Sequence, residues 1–435
     1  MTKSPWCPLP WTHLGVKNNG TLRMCSHSQS GGNKNTTFSK DGKELTIEDL
    51  KDVDVLNCDT LKQVRKDFLE GQWPEQCRRC HVESNAGHRS RDQWETIRHA
   101  ETFTKERALE ITQEDGTTLD PHIQSYDLRL GNHCNLRCVM CFPGEATKWY
   151  NDYNEIIGET EFTVDNRRYT LDPKDGDFDW VRKEDKVNSL LDASGRLNKI
   201  KFGGGEPLMI KHHYDLLKGL IERGYAKDIE LEYSSNVTVF PEVLFEYWKH
   251  FKVIKICASI DALFEANEAI RYPSKWSAVE KNLRMLDTTD DNIVVFTSIT
   301  ISILSLEYLS RLMIWLYKQN FKKINNISFK LTASHPVYAP YYLNIAILDQ
   351  HQKDRIFADL QREINEAVLD TNAKENMLSK IDFYSKYYDF MKIKDARDYQ
   401  KQFCERFFRF AKNQKQDWTK IFPVAHMLIE EWQSN

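Results

Sequence analysis

No run of the chain's 435 residues approaches the ~18 consecutive apolar residues that a membrane-spanning helix needs, which excludes such a helix. The N-terminus, MTKSPWCPLPW, lacks a basic stretch followed by an apolar core, which argues against a signal peptide and for a cytoplasmic protein. Neither charge dominates. Lys and Arg number 60 against 64 Asp and Glu, a net charge of -4, which speaks against a bulk nucleic-acid binder. There is no internal repeat and no low-complexity tract. With 40% hydrophobic and 29% charged residues, the composition is that of a globular protein. The length allows roughly three domains of ~150 residues, although one α/β barrel can fill about 200–250.

Cysteine, in contrast, is plentiful. Of the ten, seven fall in motif-like spacings: Cys7, Cys25, Cys77, Cys80, Cys134, Cys138 and Cys141. Without an export signal they read as metal or redox ligands rather than disulfides. Cys58, Cys257 and Cys404 stand outside those spacings.

The texture changes along the chain. Residues 1–110 are loop-rich, and WTHLGV–NNG–TLRMCS reads as a hairpin closed by an Asn-Gly turn. LKQVRKDFLEG reads as a short helix with Leu61, Val64 and Phe68 on one face and Gly71 as its stop. So thin a core implies crosslinking by metal. Over 120–340, short apolar strands alternate with amphipathic helices. Strands are expected near 125–130, 198–203, 229–235, 254–260, 293–301 and 326–332. One helix carries Tyr214, Leu217, Leu220 and Ile221 on its face, and another Leu306, Leu309, Leu312, Met313 and Leu316. Six strand–helix units predict an α/β fold, a partial (β/α)6 TIM-like barrel with a parallel sheet. An insertion at 145–190 holds a hairpin-like stretch, TEFTVDNRRYTLDP. The tail, 341–435, reads as helical, with Ile356, Leu360, Ile364 and Val368 repeating at i+4.

The strongest local signal is GNHCNLRCVMC, residues 131–141, just after the first barrel strand. Three thiolates at C-x3-C-x2-C spacing can hold three irons of a [4Fe–4S] cube and leave the fourth open. On spacing alone, a zinc knuckle completed by His133 is the alternative. The next strand ends in FGGGEPL, whose glycines admit close approach of a ligand and whose Glu206 is an acid at the same rim.

Together these stretches resemble the radical S-adenosylmethionine (SAM) superfamily over roughly 123–335. The resemblance implies that Cys134, Cys138 and Cys141 bind the catalytic cluster, whose open iron chelates the methionine part of SAM. It implies that Gly204, Gly205 and Glu206 meet the SAM amino group. It places Ser235 and Asn236 near the cofactor, Ser259 and Asp261 at the ribose, and Arg271 at the SAM carboxylate. The family usually has an aromatic residue against the adenine before the third cysteine; here it is Met140, able to make a sulfur–aromatic contact.

Cys7, Cys25, Cys77 and Cys80 make a complete set of four thiolates for zinc or for a second cluster. Their segments, CPLPWTHLGVKNNGTLRMCSHS and WPEQCRRCHVESNAGHRSRDQ, resemble the SPASM/twitch module, placed here before the barrel as in the N-terminal-twitch branch. That resemblance implies one auxiliary [4Fe–4S] cluster on these four residues. Cys58, between the two pairs, reads as a buried thiol because free cysteine behaves as a small apolar residue, with a fifth, alternative ligand as the other reading.

The implied activity is reductive cleavage of SAM to a 5'-deoxyadenosyl radical, which abstracts a substrate hydrogen. A net oxidation of a peptide side chain or small polar metabolite is expected, with an electron donor of the flavodoxin or ferredoxin type. The alternatives are a redox-neutral epimerase using Cys404 or Cys257 as hydrogen donor, an RNA-modifying enzyme, and a zinc-stabilised binding protein without catalysis. Residues 391–420 carry nine Lys/Arg and four Asp/Glu around Phe403, Phe407, Phe408 and Phe410. An amphipathic helix with its aromatics in the core is the simpler reading of that segment, and an RNA-binding face the other.

Overall fold

A computed structural model describes residues 5–28, 37–52, 54–85, 90–165, 167–176, 178–324, 333–390, 393–394 and 396–434. The chain divides into two compact units. The first comprises Met1–His133, Gly176–Tyr233 and Pro241–Ile254; the second comprises Cys134–Asp175, Ser234–Phe240 and Lys255–Asn435.

In chain order the main strands are β1 (His13–Val16), β2 (Leu22–Arg23), β3 (Ser125–Arg129), β4 (Glu161–Val164), β5 (Arg167–Thr170), β6 (Lys199–Gly203), β7 (Glu230–Ser235), β8 (Val253–Ser259), β9 (Ile293–Ile301) and β10 (Ala333–Pro336). The main sheet has the order β10-β9-β8-β7-β6-β3-β1-β2. Seven of its strands are parallel, and β2 is antiparallel to β1. Sequential order with helical crossovers is the partial-barrel arrangement the alternation predicts. Five of the six expected barrel strands lie within a residue or two of their predicted limits. The sixth expectation, 326–332, falls outside the described residues; β10 follows it.

The N-terminal hairpin forms, with Gly15 opposite Arg23 and Val16 opposite Leu22. Its bend is wider than a two-residue Asn-Gly turn. Lys17 N donates to Thr21 O at 2.9 Å, and Gly20 takes φ +79°. Less expected is its partner. β1 pairs in parallel with β3, His13 against Ser125 through Val16 against Leu128. The cysteine-rich segment therefore adds a strand to the main sheet, which no local pattern in β1 signals.

The first unit combines an apolar layer with a charged one. Ile200, Phe202, Leu231 and Tyr233 alternate along β6 and β7 as fully buried residues. On the opposite face Lys199 meets Glu232 at 2.7 Å and Lys201 meets Glu232 at 3.0 Å, so the register pairs charges across the strands. Helix His213–Glu222 covers the apolar face. It buries His213, Leu216, Leu217 and Leu220, a face rotated from the predicted one, since Tyr214 and Ile221 are only half-buried. The N-terminal segment is held by Arg65, fully buried on helix Asp59–Leu69. Its guanidinium donates to Pro10 O at 2.7 Å, Leu56 O at 2.5 Å, Asn57 Oδ1 at 3.0 Å and Gly116 O at 3.2 Å. Leu61, Val64 and Phe68 are buried on that helix, as their spacing predicts.

In the second unit the insertion forms the antiparallel hairpin β4–β5, with Phe162 opposite Tyr169. Leu306, Leu309, Leu312, Met313 and Leu316 are all buried, on Ile303–Leu306 and Leu309–Lys318. In the tail, Ile356, Leu360 and Ile364 are buried on Gln350–Glu366, but that helix stops before Val368, which is 87% exposed. Helix Ala396–Gln414 buries Phe403, Phe407 and Phe410, and Phe410 stacks on Trp418 at 5.3 Å. Only Phe408 of the four interleaved aromatics is exposed. Phe403, Phe407 and Phe410 are packing groups.

His213 gives a pH signature. Burial lowers its pKa from 6.5 to about 4, while its ring nitrogens bond Ile210 O at 2.6 Å and Tyr233 OH at 3.2 Å. The unfolded chain binds this proton more readily, so stability falls as pH drops from about 6.5 toward about 4. Denaturant midpoints measured across that window should decline in the wild type and decline less in His213→Phe.

Candidate cluster and cofactor site

The expected site residues fall in both units. In the first unit, β6 runs into Gly203–Glu206. Gly204 has φ +76° and Gly205 φ +50°, a region that side chains rarely adopt. A Cβ on Gly205 would lie 2.2 Å from His133 O, and one on Gly204 would lie 2.5 Å from Asn18 Oδ1. Glu206 N donates to His133 O at 2.9 Å. The glycine strand end is thus pressed against the residue that covalently precedes Cys134. Glu206 is 1% exposed, and its Oε1 accepts from Leu208 N at 3.3 Å.

In the second unit the loop Cys134–Cys141 is fixed by backbone hydrogen bonds. Arg137 N donates to Tyr272 O at 2.7 Å and Val139 N to Ile270 O at 2.9 Å. Trp149 Nε1 donates to Cys138 O at 3.1 Å. Cys134 and Cys138 are buried, while Cys141 and Met140 are half-buried. Arg271 places Nη1 at 3.9 Å from Cys138 Sγ and Nε at 2.8 Å from Asp261 Oδ2. The Asp261 side chain has 0% exposure, and its other oxygen accepts from Thr300 N at 2.7 Å. Two residues that the family resemblance assigns to separate ends of SAM are therefore joined to each other. Their shared position beside Cys138 had no signal in the sequence, because an arginine and an aspartate ten residues apart are common without contact.

This charge pattern sets the thiols apart. The hydrogen bond from Cys141, aided by the Arg271 guanidinium, lowers the pKa of Cys138 below that of an ordinary thiol. The same bond, with burial, pushes Cys141 up. Burial would weaken the Arg271 cation, but Asp261 and Cys138 hold it above its ordinary value. A fixed cation beside a thiol whose pKa is lowered is a setting for an anionic iron–sulfur group.

Two further expected residues are placed by the turn after β7. Asn236 Oδ1 accepts from Thr238 N at 3.0 Å, so it caps the turn, while its Nδ2 donates to Asn135 Oδ1 at 2.9 Å. Asn135 directly follows Cys134. Ser235 Oγ accepts from Val237 N at 3.0 Å. Ser259 ends β8, half-buried.

The other four thiols, all in the first unit, come together. Cys7, Cys25, Cys77 and Cys80 line one cavity of about 20 Å³ with Met24, His27, Arg91 and Asp92. Burial and the neighbouring thiols push Cys7, Cys77 and Cys80 up. An all-sulfur set suits zinc or iron–sulfur by its chemistry, while no three of these four sulfurs lie within 4.8 Å of one another. The sequence did not single out His27, whose Nδ1 lies 4.0 Å from Cys80 Sγ. Among the described residues, His27, Cys80 and Glu83 are the one group of three whose ligand atoms all lie within 4.8 Å. Cys58 is fully buried at the start of helix Asp59–Leu69, outside that cavity.

The Radical SAM superfamily model matches residues 128–305, a stretch that opens in β3 and carries the cysteine loop, Gly204–Glu206, Asn236, Asp261 and Arg271. Residues 128–305 belong to the radical SAM superfamily. Its cofactors are a [4Fe–4S] cluster and SAM. The chain is similar to native anSMEcpe with bound AdoMet and Kp18Cys peptide, at 12% identity and TM-score 0.36 over 55% of this chain and 59% of that one. It is similar to hexahistidine-tagged anSMEcpe with bound AdoMet at 13% identity and TM-score 0.37, again over 55% and 59%. For native anSMEcpe with bound AdoMet the values are 12% and 0.36, over 70% of this chain and all of that one. The chain thus spans about three-fifths of the length of the first two. No curated protein matches it.

Two predictions test how the radical SAM site is built. Gly205→Ala meets the His133 carbonyl and a left-handed φ, at a cost of about 1–3 kcal/mol. The melting temperature of the metal-free protein should fall, and less iron should be retained after reconstitution. Arg271→Gln leaves Asp261 buried without a cation and should cost about 3–5 kcal/mol. Melting the double variant with Asp261→Asn should show part of that loss recovered.

Proposed function

We propose that this radical SAM enzyme carries out a net oxidation of a peptide side chain or small polar metabolite. Cys134, Cys138 and Cys141 would hold the catalytic cluster. The observation that carries the reading is the Cys138–Arg271–Asp261 arrangement, a fixed charge beside a lowered thiol in a loop of the right spacing. When bound, the cluster supplies the electron that cleaves SAM into methionine and a 5'-deoxyadenosyl radical. The chain's own groups bind and orient. Gly204 and Gly205 present backbone rather than side chains, and Glu206 offers a carboxylate to the SAM amino group. Arg271 serves the cluster loop and the SAM carboxylate, Asp261 holds Arg271, and Asn236 holds the loop through Asn135. Ser235 and Ser259 line the cofactor, and Met140 takes the adenine contact.

Cys7, Cys25, Cys77 and Cys80 would hold one auxiliary [4Fe–4S] cluster, in a segment of the SPASM/twitch kind, as the acceptor of the electron left on substrate. An oxidative outcome is favoured over epimerisation by the two spare thiols. Neither Cys257, buried in β8, nor Cys404 lines the cavity that reaches Cys141. The first electron would come from a flavodoxin- or ferredoxin-type donor in the cytoplasm.

Anaerobic reconstitution tests this reading. About eight irons per chain, and 5'-deoxyadenosine formed on adding dithionite and SAM, are expected. Replacing Cys134, Cys138 and Cys141 by Ala should abolish the product. Replacing the four N-terminal cysteines should leave about four irons. Zinc in place of iron, with no cleavage, would overturn the proposal.

A further inference from the structure

A large cavity lies wholly within the second unit and reaches the cluster loop. It measures about 930 Å³ and is lined by Met140, Cys141, Phe142 and Glu145 at one end. Its walls come from hairpin β4–β5, from Pro340–Tyr342 and from Arg406 of helix Ala396–Gln414. This is the upper range of small-ligand pockets. Its position on a cysteine of the cluster loop makes it a chamber for the reacting substrate.

The charges in the chamber are unequal. Carboxylates come from Glu145, Glu159 and Glu161, and guanidiniums from Arg168 and Arg406. Arg406 is already committed. It stacks over Tyr342 at 4.4 Å, pairs with Glu159 at 3.6 Å and donates to Ile157 O at 3.4 Å. Tyr153 OH donates to Glu159 at 3.3 Å and fixes the same wall. Arg168 is exposed on β5, on the hairpin side. Glu145 differs. It is half-buried, one turn past Cys141, and it has no cationic partner among the described residues. It lines the cavity together with Cys141, four residues before it in the chain, and so lies at the cluster-loop end. Aromatic faces stand nearby: Phe142 meets Phe162 at 5.9 Å in a T-shaped pair. An unneutralised carboxylate among aromatic rings recognises an organic cation.

We propose that this chamber selects a substrate carrying an alkylammonium or guanidinium group, and that Glu145 anchors that cation beside the cluster loop. The proposal rests on the radical SAM reading of Cys141, which makes the chamber's inner end the reacting end. Arg406, Glu159 and Tyr342 form one tied stretch of the lining, and β4–β5 supplies another. Glu145 is a specificity residue: it fixes which end of the substrate faces the cysteine loop.

The test is binding to the anaerobically reconstituted full chain with SAM present, read by titration calorimetry. The probes are acetyl-Gly-Lys-Gly-amide, its norleucine and glutamate counterparts, and putrescine. The lysine peptide or putrescine should bind about 10-fold or more tightly than the norleucine peptide, and the glutamate peptide should bind worst. Glu145→Gln should bring the cation's affinity down to that of norleucine and leave norleucine unchanged. Tighter binding of the peptide than of putrescine would place the cation on a peptide, and the reverse on a free amine; either supports the proposal. Equal binding of lysine and norleucine, a preference that survives Glu145→Gln, or no binding of any probe would overturn it. Iron and 5'-deoxyadenosine are measured in the same samples. Cation preference without SAM cleavage would sink the radical chemistry and keep the chamber's specificity, whereas cleavage without preference would do the reverse.

Discussion

Much of the cofactor site depends on one close approach. The backbone at Gly205 passes so near the His133 carbonyl that a Cβ there would lie 2.2 Å from its oxygen. That contact brings the end of β6 to the residue before the first cluster cysteine. A side chain would move the strand end, and the strand end carries Glu206. The backbone amide of Glu206 bonds the same carbonyl, so the glycines and the hydrogen bond act as one clamp. The requirement is steric and leaves no room for a larger residue.

Around this clamp the chain handles buried charge by giving it fixed partners. In the second unit Asp261 is fully buried, yet it holds both Arg271 and the Thr300 amide. In the first unit Lys199, Lys201, Glu230 and Glu232 form a ladder across two strands, and Arg65 is satisfied by carbonyls. The thiols follow the same logic in opposite senses. Cys138 has a hydrogen bond and a cation and is lowered, while burial and the neighbouring thiols raise Cys7, Cys77 and Cys80. Glu145, which has no cationic partner among the described residues, departs from that pattern.

Legibility varied with the range of the forces involved. Strands β6, β7, β8 and β9 could be read because burial alternates along most of their length and leaves a period of two in the sequence. The cysteine loop and Gly204–Glu206 could be read because their chemistry needs those residue types at short spacing. Helix His213–Glu222 is legible as a helix, with Leu217 and Leu220 on the buried face as expected but that face rotated toward His213 and Leu216, since Phe202 and Tyr233, which His213 meets, come from strands on either side in the chain. Val368 continues an i+4 series that the helix itself abandons at Glu366. The pairing of β1 with β3 is invisible, because a four-residue strand carries no mark of its partner.

The sequence alone determined the alternation of strands and helices, the cysteine spacing and the glycine strand end. Each is a local pattern written within a dozen residues. The tertiary structure decided which distant groups share a site. It joined Asp261 to Arg271 and Cys138, gathered Cys7, Cys25, Cys77 and Cys80 around one cavity, and walled a chamber with a hairpin and a helix more than 200 residues apart in the chain. Those choices depend on burial and electrostatics between segments that only the fold brings together, and no short window of sequence records them.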